Sequence, residues 1–131
     1  MPTLGKRSLE NLSLVDIRLQ QIVQEAIEIM DFSVIEGHRD DIRQNYMYRT
    51  GLSKLKWPKS KHNALPSLAV DLAPYPIDWN DTERFVLLAG VMFTIAKKKG
   101  IKIRWGGDWD NDGIMIDETF RDYVHFELVE D

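Results

Sequence analysis

Apolar positions recur along the chain first at helical and then at strand spacing. Leu12, Val15, Leu19, Ile22, Ala26 and Ile29 fall three or four residues apart, the spacing that gathers side chains on one face of a helix. Ser8 or Ser13 offers an N-cap, so the pattern predicts one amphipathic helix running to about Met30. Phe32 to Glu36 then alternates and is closed by Gly37, which reads as a short strand. A polar helix is expected from Asp40 to about Arg49, ended by Gly51. Lys54 to Pro66 has no apolar period and holds two prolines, so it reads as an ordered loop. Leu68 to Ala73 resumes a strand-like run that Pro74 and Pro76 stop. Asn80 with Glu83 three residues on resembles a capping box opening a second long helix. That helix carries Phe85, Leu88, Met92 and Ile95 on one face and ends in Lys97, Lys98, Lys99 and Gly100, a cationic last turn followed by a glycine stop. Ile101–Trp105 and Val124–Val129 read as two more strands around a Gly/Asp-rich loop. The sum is a small single α+β domain over residues 1–131, a mixed or antiparallel sheet of about four strands packed with two long helices.

Composition narrows the chemistry. With 131 residues and 44% of them hydrophobic, the chain can build a core without a disulfide or a structural metal. It has no cysteine, which removes thiolate zinc sites and cysteine nucleophiles and leaves His, Asp and Glu as metal ligands. A net charge of −4 makes nucleic acid a poor default partner. Lys6 and Arg7 are followed by Glu10 and Asp16, and the uncharged run from Phe85 to Ala96 falls short of the roughly 18 residues of a spanning helix, so neither a signal peptide nor stable membrane insertion is expected. Synthesis in the cytoplasm follows. Charge is also segregated: residues 39–61 hold seven basic and two acidic side chains, residues 108–131 nine acidic and one basic. Such a split fits a polar cleft or an ion site, and equally two differently solvated surfaces.

Three histidines are present, His38, His62 and His125. A histidine taken singly is more often structural than a ligand. Asp71 lies inside an apolar strand, where a carboxylate is costly unless a cation or several donors meet it, or unless the strand is an edge and the side chain faces outward. Strand alternation sets His125 and Glu127 on one face and Val124, Phe126 and Leu128 on the other, with Asp122 able to reach back from the strand's mouth. His62, Asp71 and His125 would together form a His₂Asp set, and catalytic zinc takes three such ligands plus water.

Taken in order, Ser60-Lys61-His62…Ala69-Val70-Asp71, Trp105-Gly106-Gly107-Asp108-Trp109 and Asp122…His125-Phe126-Glu127-Leu128 resemble the D-Ala-D-Ala carboxypeptidase and L-alanyl-D-glutamate endopeptidase family of zinc peptidases, which includes many bacteriophage endolysins. The resemblance spans Val34 to Leu128 and implies a fold shared with lysostaphin-type peptidases and Sonic hedgehog. It implies Zn²⁺ held by His62, Asp71 and His125, Asp122 as the catalytic carboxylate and Arg39 as the residue polarising substrate. Ion pairing of Arg39 with Asp40 or Asp41 is the simpler alternative for that side chain. Ser60 and Gln44 are candidate hydrogen-bonding contacts to substrate peptide groups. Two features depart from the commoner pattern: Asp71 stands nine positions after His62 in place of the family's seven, without the intervening glycine, and position 122 is Asp where many carboxypeptidases have Glu. The second tilts the reading toward the endopeptidase branch.

The implied activity is cleavage of bacterial peptidoglycan stem peptides by a phage endolysin during host lysis. It would act as a monomer at the cell wall in the periplasm, with a holin giving passage through the membrane. A D,D-carboxypeptidase with the same site, and a non-catalytic metal-binding or calcium-responsive module, are the competing readings. Asp108, Asp110, Asp112 and Asp117 form a second constellation, since Asp108-Trp109-Asp110-Asn111-Asp112-Gly113 follows the opening of a Ca²⁺ loop. Thr119 stands where that loop's closing glutamate would be, so an ion-free acidic turn is the alternative. Trp57, Trp79, Trp105 and Trp109 flank these motifs and suit core packing or stacking on wall polymer.

Overall fold

The structure, a computed structural model, describes residues 2–111 and 122–130. Strands β1 (Phe32–Glu36), β2 (Ala69–Pro74), β3 (Ile103–Gly106) and β4 (Asp122–Leu128) form one sheet in the order β1-β2-β4-β3, antiparallel throughout. Helices α1 (Lys6–Leu12), α2 (Ile17–Ala26), α3 (Asp41–Arg49) and α4 (Thr82–Lys99) surround it, and a 3₁₀ turn covers Lys61–Asn63. The α+β class, the small size and the four strands are as the sequence predicts, with strand ends moved by one or two residues.

Period-2 alternation divides the sheet into two faces. Val70, Leu72, Trp105, Phe126 and Leu128 are buried together with Leu19 and Ile22 of α2 and Leu88 and Met92 of α4. Fully burying each such side chain stabilises the fold by about 1.5–3 kcal/mol, so this face carries most of the stability. The residues between them, Asp71, Arg104, His125 and Glu127, line a cleft on the opposite face.

The expected single helix ending near Met30 is broken in two. Between α1 and α2 the chain turns aside: Val15 bridges Ser67, Asp16 N donates to the Ser67 carbonyl at 2.9 Å, and Ser67 N donates to the Leu14 carbonyl at 2.8 Å. Asp16 then caps α2, its carboxylate accepting from Arg18 N at 2.9 Å. Neither expected serine is an N-cap. Gly5 occupies that place for α1, Ser13 ends that helix, and buried Ser8 accepts from Val34 N. Leu12 and Val15 stay in the core on both sides of the break, so apolar spacing alone cannot reveal it; the local bonds of Asp16 compete with helix continuation. One helix is therefore long, not two. The N-cap of α4 is Asp81 in place of Asn80, its carboxylate accepting from Arg84 N, and Gly100 at φ +71° closes that helix as expected.

The inner position of β2 decides the orientation of Asp71. All six β2 residues are buried, so the edge-strand alternative is excluded, and the β2–β4 register sets Asp71 opposite His125. The β3–β4 register then jumps, pairing Trp105 with Phe126 but Gly106 with Asp122. This bulge corrects the simple alternation. Tyr123 turns to the core against Trp105, while Asp122, Val124 and His125 all line the cleft. A Cβ on Gly106 would lie 2.1 Å from the Asp122 carbonyl oxygen, so only glycine lets β4 approach closely enough to bring Asp122 in.

Candidate metal centre

Three elements deliver three side chains to one point. Asp71 and His125 come from the paired inner strands. His62 comes from the 3₁₀ turn, which Ser60 and Asn63 hold in a reciprocal capping box, and its carbonyl accepts from Arg39 N at 2.9 Å. His62 Nε2 is 3.0 Å from Asp71 Oδ1, His125 Nδ1 is 3.2 Å from the same oxygen, and the two ring nitrogens are 3.2 Å apart. All three residues are buried, and among the described residues they form a group able to hold a metal ion.

The outer ring nitrogens fix what the inner ones can do. His62 Nδ1 is 2.7 Å from the Gly37 carbonyl and His125 Nε2 is 2.8 Å from Glu127 Oε1. A carbonyl and a carboxylate only accept, so both outer nitrogens donate, and in the neutral rings the lone pairs sit on His62 Nε2 and His125 Nδ1. Two lone pairs and a carboxylate oxygen then face one another within hydrogen-bond distance, an arrangement that requires a proton or a cation among them. Two imidazoles and a carboxylate, each imidazole backed by an acceptor, are the donor set and outer support of a catalytic zinc site, and these residues fit that ion.

Electrostatics follow the same geometry. Burial alone would raise the Asp71 carboxyl, but the positive charge that His62 and His125 carry when protonated, and their hydrogen bonding to it in that state, outweigh burial and hold the group well below the usual carboxylate range. Burial likewise opposes charge on His125, yet its bonds to Asp71 and Glu127 push its pKa up to about 9. Glu127 is held down to about 2 against its own burial by His125 and Arg104. Asp122 runs the other way. Burial and the negative charge of Asp71 raise it above the ordinary carboxylate value.

Arg39 lines the same cleft and is almost wholly buried. Its partners are Glu36, paired through Nε, Gln44 Oε1 at 2.8 Å from Nη1, and Asp71 Oδ2 at 3.8 Å from Nη2. The alternative pairing with Asp40 or Asp41 is therefore not the one formed; Asp40 instead caps α3. Gln44 is fully buried, and its amide is committed to the protein: Oε1 accepts from Arg39 and Asn63, and Nε2 donates to Ser53 Oγ and the Leu55 carbonyl. These bonds make Gln44 a support for Arg39. Ser60 lines the cleft, but its hydroxyl accepts from His62 N at 3.2 Å and serves the turn.

The cleft, about 500 Å³, is where the segregated charges meet: Lys54, Lys59, Lys61, Asp122 and Glu127 all line it, and Lys61 pairs with Glu127 at 3.3 Å. Trp109 lines it with its ring centroid 5.4 Å from that of His125, whereas Trp105 is core and Trp57 and Trp79 are exposed. His38 takes no part in the cluster. Of the proposed Ca²⁺ ligands, Asp108 is buried in the turn after β3 and Asp110 follows it; Asp112 and Asp117 lie outside the described residues.

Sequence reasoning missed three supports. Glu127 shared the face of His125 at a spacing of two, Glu36 stood three residues before Arg39, and Lys61 adjoined His62; each spacing was visible, but neither the bond nor its direction was.

The chain is similar to known proteins in sequence and in fold. A sequence model of the phage L-alanyl-D-glutamate peptidases matches residues 2–129. The L-alanyl-D-glutamate peptidase of Escherichia phage T5 is 38% identical, the alignment covering 95% of this chain and 96% of that protein. The crystal structure of the L-Ala D-Glu endopeptidase ChiX of Serratia marcescens superposes with a TM-score of 0.79 at 30% identity, over 98% of this chain and 91% of that one. An almost end-to-end match in sequence and in fold establishes that the chain belongs to the phage L-alanyl-D-glutamate peptidase family.

Proposed function

We propose that the protein is a single-domain zinc-dependent endopeptidase that cuts the L-alanyl-D-glutamate bond of peptidoglycan stem peptides, as an endolysin does. The observation that carries this reading is the convergence of His62 Nε2, Asp71 Oδ1 and His125 Nδ1 within 3.2 Å of one another, each ring held from behind by an acceptor. A zinc ion held there supplies Lewis acidity and lowers the pKa of water toward about 7. Asp122, half-buried in the same cleft, its carboxyl raised by desolvation and by the charge of Asp71, takes a proton from the attacking water and returns it to the departing glutamyl amine. Arg39, fixed by Glu36 and Gln44, presents positive charge to the scissile carbonyl as its oxygen becomes negative. The bacterial cell wall is the site of action. No helix among the described residues is long and apolar enough to cross a membrane, and a holin is the partner that would open the route.

Digestion of purified muropeptides followed by mass spectrometry tests the reading. New amino-terminal glutamyl peptides, with L-alanine left on the glycan side, are the expected products. Release of free D-alanine without them would overturn it in favour of a D,D-carboxypeptidase.

A further inference from the structure

On the reading that His62, Asp71 and His125 hold zinc, we propose that Glu127 is a positioning residue for the ion, clamping His125 directly and the turn that bears His62 through Lys61. Glu127 is 6% exposed and lies on inner strand β4, flanked in register by Ala69 of β2 and Arg104 of β3. Its two oxygens have separate duties. Oε1 accepts from His125 Nε2 at 2.8 Å, while Oε2 lies 2.9 Å from Arg104 Nη2 and 3.3 Å from Lys61 Nζ. The Lys61 ammonium also donates to the Leu128 carbonyl, which ties the residue just before His62 to the end of β4.

One carboxylate therefore touches the ring of one ligand and the chain neighbour of another. While Oε1 occupies Nε2–H, His125 can offer only Nδ1 to the ion. The two cations compensate a carboxylate that would be costly to bury alone, and they aim Oε1 at the ring. Arg39 instead pairs with Glu36, Gln44 and Asp71. Neither Lys61 nor Glu127 touches the inner face of the cluster, so their action on the ion runs through the histidines.

Zinc affinity of the full chain, measured by competition with a chromophoric chelator, separates this role from simple packing when read beside the melting temperature of the metal-free protein. Glu127→Gln keeps an acceptor but turns an amide NH₂ toward either His125 or the cations, and should bind zinc about 10–100-fold more weakly than wild type. Lys61→Met should weaken binding by less, and the double variant should lose less than the product of the two, because both act through one network. Glu127→Asp keeps the charge with a shorter reach; it should fold and show an intermediate loss, and it decides the question if the glutamine variant does not fold. Wild-type affinity in folded Glu127 variants, with or without a change in melting temperature, would overturn the clamp while leaving the zinc reading intact. Fully multiplicative effects of Lys61→Met and Glu127→Gln would overturn the link through Lys61. A wild-type chain that binds no zinc would overturn the zinc reading and the clamp together.

Discussion

Val70 and Phe126 face the helices, and Asp71 and His125, one residue away on the same strands, face the cleft. The helix face is stabilised by apolar area removed from water, a term without direction that tolerates exchange of one apolar side chain for another of like volume. The cleft face buries two carboxylates and two imidazoles at positions where area counts little and pairing counts for most. Glu127 Oε1 has the His125 Nε2–H at 2.8 Å and its Oε2 has Arg104 and Lys61 within 3.3 Å, and removing one member leaves another buried without its partner. Stability and function are thus carried on opposite sides of a sheet only one residue thick.

Breaking each face should give opposite signatures. On the helix face, Phe126→Ala should cost about 3–5 kcal/mol in denaturant unfolding, the largest effect on stability expected here, with loss of activity only as the fold is lost. On the cleft face, Asp122→Asn should lower kcat by about 10²–10⁴-fold while zinc stays bound. Its stability should not fall. The Asp122 carboxyl is raised in the folded state, so its ionised form is disfavoured on folding and its contribution is lost as pH rises; at pH 7 the neutral asparagine removes that penalty from the metal-free protein. An Asp122→Asn chain that is inactive only because it is unfolded would erase the contrast.

A smaller effect sharpens the comparison away from both faces. Asp16 caps α2 and is held below its ordinary value of 3.8, chiefly by the Arg18 side chain. A lowered carboxyl stabilises above its unfolded value and loses that contribution as pH falls through the folded one. Asp16→Ala should therefore cost about 1 kcal/mol at neutral pH, with the deficit shrinking on acidification below about pH 4, measured by thermal unfolding across pH. A deficit independent of pH would assign the cost to something other than the charged cap.

What the sequence shows and hides follows the same division. Alternation and helical spacing report burial, so β1 to β4, α4 and the sorting of Phe126 from His125 could be read directly from the chain. The same signal cannot see a change of backbone partner that leaves burial intact, which is why the break at Val15 and Asp16 goes unseen. Nor does it see a register jump, so Val124 was expected on the wrong face. At the site, residue type suggests His62, Asp71, His125 and Asp122 as a set, while their roles, and Arg39, come from the family resemblance. The direction of hydrogen bonds is not legible in the chain, so Gln44 reads as a substrate contact although its amide is spent on Arg39, Asn63, Ser53 and Leu55, and Glu127 carries no role until its two oxygens are seen to serve different partners.

Stoichiometric reconstitution tests the central claim most directly. Protein stripped of metal with a chelator should lose peptidoglycan-hydrolysing activity, regain it in proportion to added zinc up to one equivalent per chain, and fail to do so when Asp71 is replaced by asparagine. Undiminished hydrolysis of stem peptides by the fully stripped wild-type chain would contradict the account.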